Sequence, residues 1–208
     1  MRYFLHIILL LLITNSSFGQ HVERRSKESA EQFVSKFMPE HSKLAFYILE
    51  TMWNGKPVII AFFEQGYKLS MEEDPGQQTY HQVIGETFFK NAGYDYTRFL
   101  IDTIKSEGGD PKIENVFFAN ADKGKNKELI VLVSWPQLHA DVSGTLYGAF
   151  VFDDYKIEGK KKLRYLENIS QKLSGGCDCE YKDGKKTKAK LRNEADIRAK
   201  LRRLGYRY

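Results

Sequence analysis

The sequence predicts an α+β fold in which a mostly antiparallel sheet is covered by helices. Two observations predict this class. Runs of β-branched and aromatic residues are clustered, in a hairpin over residues 44–63 and in three strands between residues 113 and 153, rather than alternating one by one with helices. Segments with apolar residues at helical spacing precede, separate and follow these clusters.

The N-terminal segment predicts export of the chain. Arg2 precedes an apolar run over residues 4–13, which is about half the length that a membrane span requires. The small residues Ser17 and Gly19 then suit signal peptidase, so residues 1–19 are predicted to be a signal peptide cleaved before Gln20. Removing these 19 of the 208 residues leaves 189, a length typical of one domain. The signal peptide predicts that this domain lies in the periplasm or outside the cell. An uncleaved interfacial anchor remains the alternative.

The elements of the N-terminal half follow from periodicity and turn residues. Helical spacing predicts a helix over residues 26–39 that ends at Pro39. The dipeptide Asn54-Gly55 between two apolar runs predicts the hairpin, because both residues tolerate positive φ. Apolar residues at intervals of three and four then predict two helices, over residues 80–91 and 95–106.

The second half is predicted to hold three strands and two helices. The strands cover residues 113–119, 128–135 and 145–153, and the middle one is apolar on both faces, as in a central strand covered on each side. A helix over residues 163–173 and a link containing both cysteines follow. The last helix is predicted to begin at Asn193, with Asp196 three residues later, and to end at Gly205.

Charge is distributed unevenly along the predicted mature chain. Residues 20–155 hold 14 basic and 20 acidic side chains, whereas residues 156–208 hold 17 basic and 7 acidic ones. A basic part from about residue 156 is therefore expected, either as a solvated surface or as a contact for an anionic surface or wall polymer. Since the chain is predicted to be exported, nucleic acid is not expected as a partner. No second apolar run is long enough for a transmembrane span in the mature chain.

The one patterned polar segment covers residues 120–128 and leads directly into the central strand. Its oxygen-bearing residues are Asn120, Asp122, Asn126 and Glu128. Oxygen ligands at alternate positions suit Ca²⁺, and the segment resembles a single degenerate FG-GAP loop of integrin-type propellers. The resemblance implies these four residues as metal ligands. Because only two are carboxylates and three lysines crowd the loop, weak calcium binding or a simple polar turn is expected.

Two cysteines, Cys177 and Cys179, are the whole thiol inventory. One residue apart in an oxidising compartment, they suggest a redox-active disulfide, two free thiols or bonding to another chain. A disulfide scaffold of the kind found in small secreted domains is excluded, so stability must come from packing.

A binding surface is expected around an aromatic group near a histidine. Its candidate residues are Trp135, His139, Asp141 and Tyr147. Sugar rings or partner side chains stack on such aromatics, although most of the group is expected in the core.

No recognisable catalytic motif occurs in the chain, and no cofactor is expected other than weakly bound Ca²⁺. The expected function is a non-enzymatic binding or inhibitor-like module acting on an envelope protein or wall polymer. The alternatives are an envelope hydrolase using a carboxylate such as Glu128 or Asp141, and an adhesion component held by its basic tail.

Overall fold

In the computed structural model, which describes residues 20–153 and 161–206, the chain forms two antiparallel sheets of six strands each. Strands account for 51% of the described residues and helices for 12%, so the predicted α+β class is wrong and the fold is mostly β. The predicted signal peptide lies outside the described residues. No helix within the described part of the chain combines the length and the apolar character that a membrane crossing requires.

The first sheet contains the N-terminal strands in the order β1-β6-β5-β4-β2, with β3 also paired to β4. These strands are β1 Gln20–Glu23, β2 Ser42–Leu44, β3 Leu49–Trp53, β4 Lys56–Lys68, β5 Thr79–Lys90 and β6 Asp95–Lys105.

The second sheet contains the remaining strands in the order β12-β11-β9-β8-β7, with β10 also paired to β9. These strands are β7 Lys112–Ala119, β8 Glu128–His139, β9 Val142–Asp153, β10 Arg164–Tyr165, β11 Gly176–Tyr181 and β12 Lys186–Thr187.

The two sheets pack face to face as a sandwich. Phe62 and Ile101 of the first sheet belong to the same buried cluster as Val131 and Trp135 of the second. Burying apolar side chains between sheets is the main stabilising term of such a fold, at about 25 cal/mol per Å². Leu100 also forms a parallel bridge to Lys162, which ties the two sheets along one side.

One short helix packs on the outer face of the first sheet and two pack on that of the second. The helix α1 Ala30–Ser35 places Phe33 and Val34 against the first sheet, whereas α2 Glu167–Lys172 and α3 Glu194–Arg203 pack on the second. Residues 58–63 of β4 and 129–133 of β8 are therefore covered on two sides, which explains why these two segments are apolar and buried throughout.

The predicted helices over residues 80–91 and 95–106 are the long strands β5 and β6. Val83 of β5 faces the other sheet and Phe88 faces α1, so apolar residues occur on both faces of this strand. Opposite Gly85 and Glu86, β6 carries one extra residue, Ile101, and this bulge shifts the alternation of β6. The two apolar faces of β5 and the shifted alternation of β6 give apolar residues at intervals of three and four, which explains the mistaken helical assignments.

Other local predictions are confirmed. Asn54 and Gly55 form the turn of the β3–β4 hairpin, with φ of 47° and 81°. The segment expected to be most buried lies within β8, where residues 129–133 are all buried. Asn193 caps α3 by accepting a hydrogen bond from the Asp196 amide, and Gly205 follows that helix with a φ of 88°.

Candidate functional site: a basic pocket

A cavity with a strongly basic lining lies between the end of α2, the β11–β12 hairpin and the last turns of α3. Its volume is about 580 Å³, within the usual range for small-molecule sites. The lining residues are Lys172, Ser174, Gly175, Gly176, Cys177, Tyr181, Thr187, Lys188, Lys190, Leu191, Lys200 and Arg203. We call this cavity the basic pocket.

The β11–β12 hairpin presents one face to the basic pocket. Cys177 and Tyr181 point to the same side of β11, because side chains alternate along a strand. Thr187 lies on that side too, since it is the cross-strand partner of Cys179. The two acidic residues of β11 point the other way, where Asp178 pairs with Arg192 at 2.8 Å and Glu180 pairs with Lys186 at 3.0 Å.

The opposite wall is positioned by a close crossing of two chain segments. The Lys190 amide donates a hydrogen bond of 2.9 Å to the Gly175 carbonyl. A Cβ built on Gly175 would come within 2.5 Å of the Leu191 carbonyl oxygen, so only glycine fits at this crossing. The contact brings residues 188–191 to the rim of the pocket, and α3 then adds Lys200 and Arg203.

Charge in the basic pocket is entirely positive. Five of its lining side chains are cationic and none is a carboxylate. Within residues 20–153 and 161–206, none of these five cations forms an ion pair with an acidic side chain. The buried Thr187 hydroxyl also has no hydrogen-bond partner in the described structure. The arrangement therefore offers several donors to an anion.

A disulfide joins Cys177 to Cys179 on the hairpin. Cys177 is half-buried and lines the basic pocket, whereas Cys179 is only 4% exposed and lies in the sheet between Gly144 of β9 and Thr187 of β12. The segment that the sequence suggested as a link is therefore a strand, and its two cysteines belong to the wall of the pocket.

The four residues of the expected aromatic binding surface are dispersed. Trp135 is buried, and its indole Nε1 donates to the Lys105 carbonyl at 3.0 Å. Trp135 and Tyr147 line a separate cavity of about 200 Å³. His139 lines a third cavity of about 530 Å³, while Asp141 lies in the β8–β9 turn, 3.8 Å from Lys182. The structure does not bring the four into one site.

The loop over residues 120–128 is held by hydrogen bonds within the protein. Asp122 accepts from the Gly124 amide, and the Asn120 amide group donates to the Gly124 carbonyl at 2.6 Å. The indole of Trp53 donates to the Lys127 carbonyl at 2.6 Å, which docks the loop on the β3–β4 turn. This geometry is that of a polar turn.

Glu128 lies beneath this loop and is 1% exposed. Burial raises the pKa of its carboxyl to about 7, although the Ala121 amide donates to Oε2 at 2.5 Å. Asn126 takes part in further interactions within the fold. Among the described residues, no three His, Cys, Asp or Glu side chains gather as a metal site.

The alternative of an envelope hydrolase requires two carboxyl groups across one cavity. Among the described residues, the cavity that Trp135 and Tyr147 line has one acidic residue, Glu107. The cavity that His139 lines also has one, Asp110. Asp110 is engaged by His81, whose Nδ1 lies 2.7 Å from the Asp110 Oδ2. None of the three cavities supplies a pair of carboxylates.

Sequence reasoning missed the basic pocket as a site. The excess of basic residues after residue 156 was its only signal, and that signal did not distinguish a solvated surface from a cavity. Three separate elements supply the cations, so no local motif marks them.

Fold and site together define a class: a helix-flanked β-sandwich with a cationic pocket at one edge of its second sheet. Comparison with known proteins found no matching family model, no matching curated protein and no matching solved structure.

Proposed function

We propose that this protein is a non-enzymatic binding module that holds an anionic small molecule, or an anionic group of a larger molecule, in the basic pocket. The observation that carries the proposal is the lining of the pocket, which has five cations and no carboxylate. Hydrogen bonds between a cation and an anionic oxygen are about twice as strong as those between neutral groups.

The free pocket carries a cost that an anion removes. Like charges that line one concavity repel each other, and a bound anion replaces that repulsion with attraction. Binding therefore gains from charge and from the hydrogen bonds that the lysine and arginine side chains donate.

Size restricts the ligand to a compact group. A volume of about 580 Å³ accommodates a small molecule or the end of a polymer, and it does not enclose a folded partner. The proposal thus keeps the envelope as the expected setting and assigns recognition to the anionic part of the ligand.

Calorimetric titration of the protein with pyrophosphate tests the proposal. We expect saturable binding that weakens as salt is added, because ions screen exposed charges. Replacing Lys188, Lys190 and Lys200 together by Gln should weaken affinity by at least about tenfold, since each charged hydrogen bond contributes about 1.5–3 kcal/mol. Lys68→Gln, an exposed change on the first sheet, is the matched control. Equal affinities of the two variants would refute the pocket as the site.

A further inference from the structure

The disulfide of the hairpin and the cations of the basic pocket are parts of one site. Cys177, Tyr181 and Thr187 lie on the same face of the β11–β12 hairpin, and all three line the pocket. A small molecule held by Lys188 or Lys190 is therefore in the same cavity as Cys177.

We propose that the basic pocket binds anionic thiols and that these exchange with the Cys177–Cys179 disulfide. The inference rests on the proposed anion-binding function, and it adds a substrate class and a chemical step. The substrate class is a low-molecular-weight thiol that also carries a carboxylate, sulfonate or phosphate.

The two cysteine residues differ in burial and in access from the basic pocket, and this difference sets the direction of attack. Cys177 is half-buried and lines the pocket, whereas Cys179 is 4% exposed. An incoming thiolate therefore meets the Cys177 sulfur, and the buried Cys179 sulfur is the leaving group. Exchange rates depend on which sulfur is attacked and on access to it.

The exchange is balanced without any further reagent. The thiolate sulfur of the ligand forms a bond to Cys177 Sγ, and the electron pair of the old S–S bond moves to Cys179 Sγ, which leaves as a thiolate and takes a proton from water. A second thiol then attacks the mixed disulfide, which releases the oxidised ligand dimer and leaves Cys177 reduced.

The cations favour each charged species of this sequence. They attract the anionic thiol into the pocket, and positive neighbours stabilise thiolates. The acidic side chains of β11 do not oppose this effect, because Asp178 and Glu180 point to the other face and pair with Arg192 and Lys186. An anionic thiol is thus concentrated where its reaction begins.

Three small thiols of different charge test the proposal: 2-mercaptoethanesulfonate, 2-mercaptoethanol and cysteamine. Exchange is followed by acid quenching and mass spectrometry, and rates are expressed per thiolate. We expect the anionic thiol to react about tenfold faster than the neutral one and the cationic thiol to react slowest, because electrostatic steering changes association by about 10–1,000-fold. Peptide mapping should place the first adduct on Cys177.

Matched variants and a competitor complete the test. The Lys188→Gln/Lys190→Gln variant, like added pyrophosphate, should remove the advantage of the anionic thiol, whereas Lys68→Gln should retain it. If the protein binds pyrophosphate but all three thiols react at equal rates, the exchange proposal is overturned and the proposed anion-binding function stands. Failure to bind pyrophosphate would overturn the proposed function. A first adduct on Cys179, or a charge preference that pyrophosphate leaves unchanged, would also contradict the exchange proposal.

Discussion

The Asp178 carboxylate pairs with the Arg192 guanidinium across the outside of the β11–β12 hairpin, with 2.8 Å between Oδ2 and Nη1. This pairing holds the acidic residue nearest to the disulfide away from the cavity that Cys177 lines. The cations of the basic pocket consequently keep their charge uncompensated, which is the basis of the proposed function.

Gly85→Ala tests the sandwich itself. A Cβ at this position would come within 2.7 Å of a Phe62 ring carbon and 3.2 Å of the Ile101 Cβ, so we expect a loss of about 1–3 kcal/mol in the free energy of unfolding. A helix over residues 80–91 would instead gain about 1 kcal/mol from the same change. Urea denaturation of this variant and of Gly76→Ala, an exposed control, distinguishes the two.

That contrast shows what the sequence could and could not predict. The Asn54-Gly55 turn and the Asn193 cap depend on local backbone chemistry, and both were predictable. The strand β5 was not predictable, because its second apolar face packs against α1, a contact between residues far apart in the sequence. Strict alternation marks a strand only when one of its faces is polar, whereas β8, which is apolar on both faces, was recognised by its continuous run of aliphatic residues.

Glu128→Gln should change the dependence of stability on pH. The native pKa of about 7 lies above the ordinary value of 4.5, so the native state holds this proton more tightly than the unfolded state. The resulting stability is complete below about pH 4.5 and is lost as the pH rises through about 7. Gln has no charge to bury, so the variant should match the native protein near pH 4 and exceed it by up to about 3 kcal/mol near pH 8.

Urea denaturation at both pH values measures this difference. Glu40→Gln, an exposed position, is the control and should leave the pH profile unchanged. A variant that is destabilised equally at both pH values would show that the carboxyl is needed for its hydrogen bond alone, against our expectation.

The loop over residues 120–128 is expected to act as a turn. Asp122 and Glu128 already accept backbone hydrogen bonds, so adding millimolar Ca²⁺ should leave the melting temperature unchanged in both the native protein and Asp122→Ala. Differential scanning fluorimetry measures this. A rise in melting temperature that Asp122→Ala abolishes would instead support the calcium loop to which the segment bears a resemblance.

Asn193→Ala should destabilise the wall of the basic pocket. The Asn193 side chain accepts a hydrogen bond of 2.9 Å from the Asp196 amide, and losing such a cap costs about 1 kcal/mol. Because α3 carries Lys200 and Arg203, we expect weaker pyrophosphate binding together with the lower free energy of unfolding. Asn193→Ser keeps a capping oxygen and should behave as the native protein in both measurements.

The basic pocket shows a different limit of sequence reasoning. Its cations come from α2, from the segment after β12 and from α3. The crossing of Gly175 with Lys190 and the buried cluster that holds Leu173, Leu191 and Leu201 bring these elements together. The composition of the chain beyond residue 156 showed that positive charge was present. It held no information on which lysines face a cavity, because that depends on the packing of the helices on the second sheet.

The location of bound pyrophosphate is the sharpest test of anion binding in the basic pocket. In ¹H–¹⁵N spectra recorded during a titration, we expect the amide shifts to concentrate at Gly176, Cys177, Lys188 and Lys190 and to saturate together. Shifts spread over exposed lysines of both sheets, or confined to residues outside the basic pocket, would contradict it.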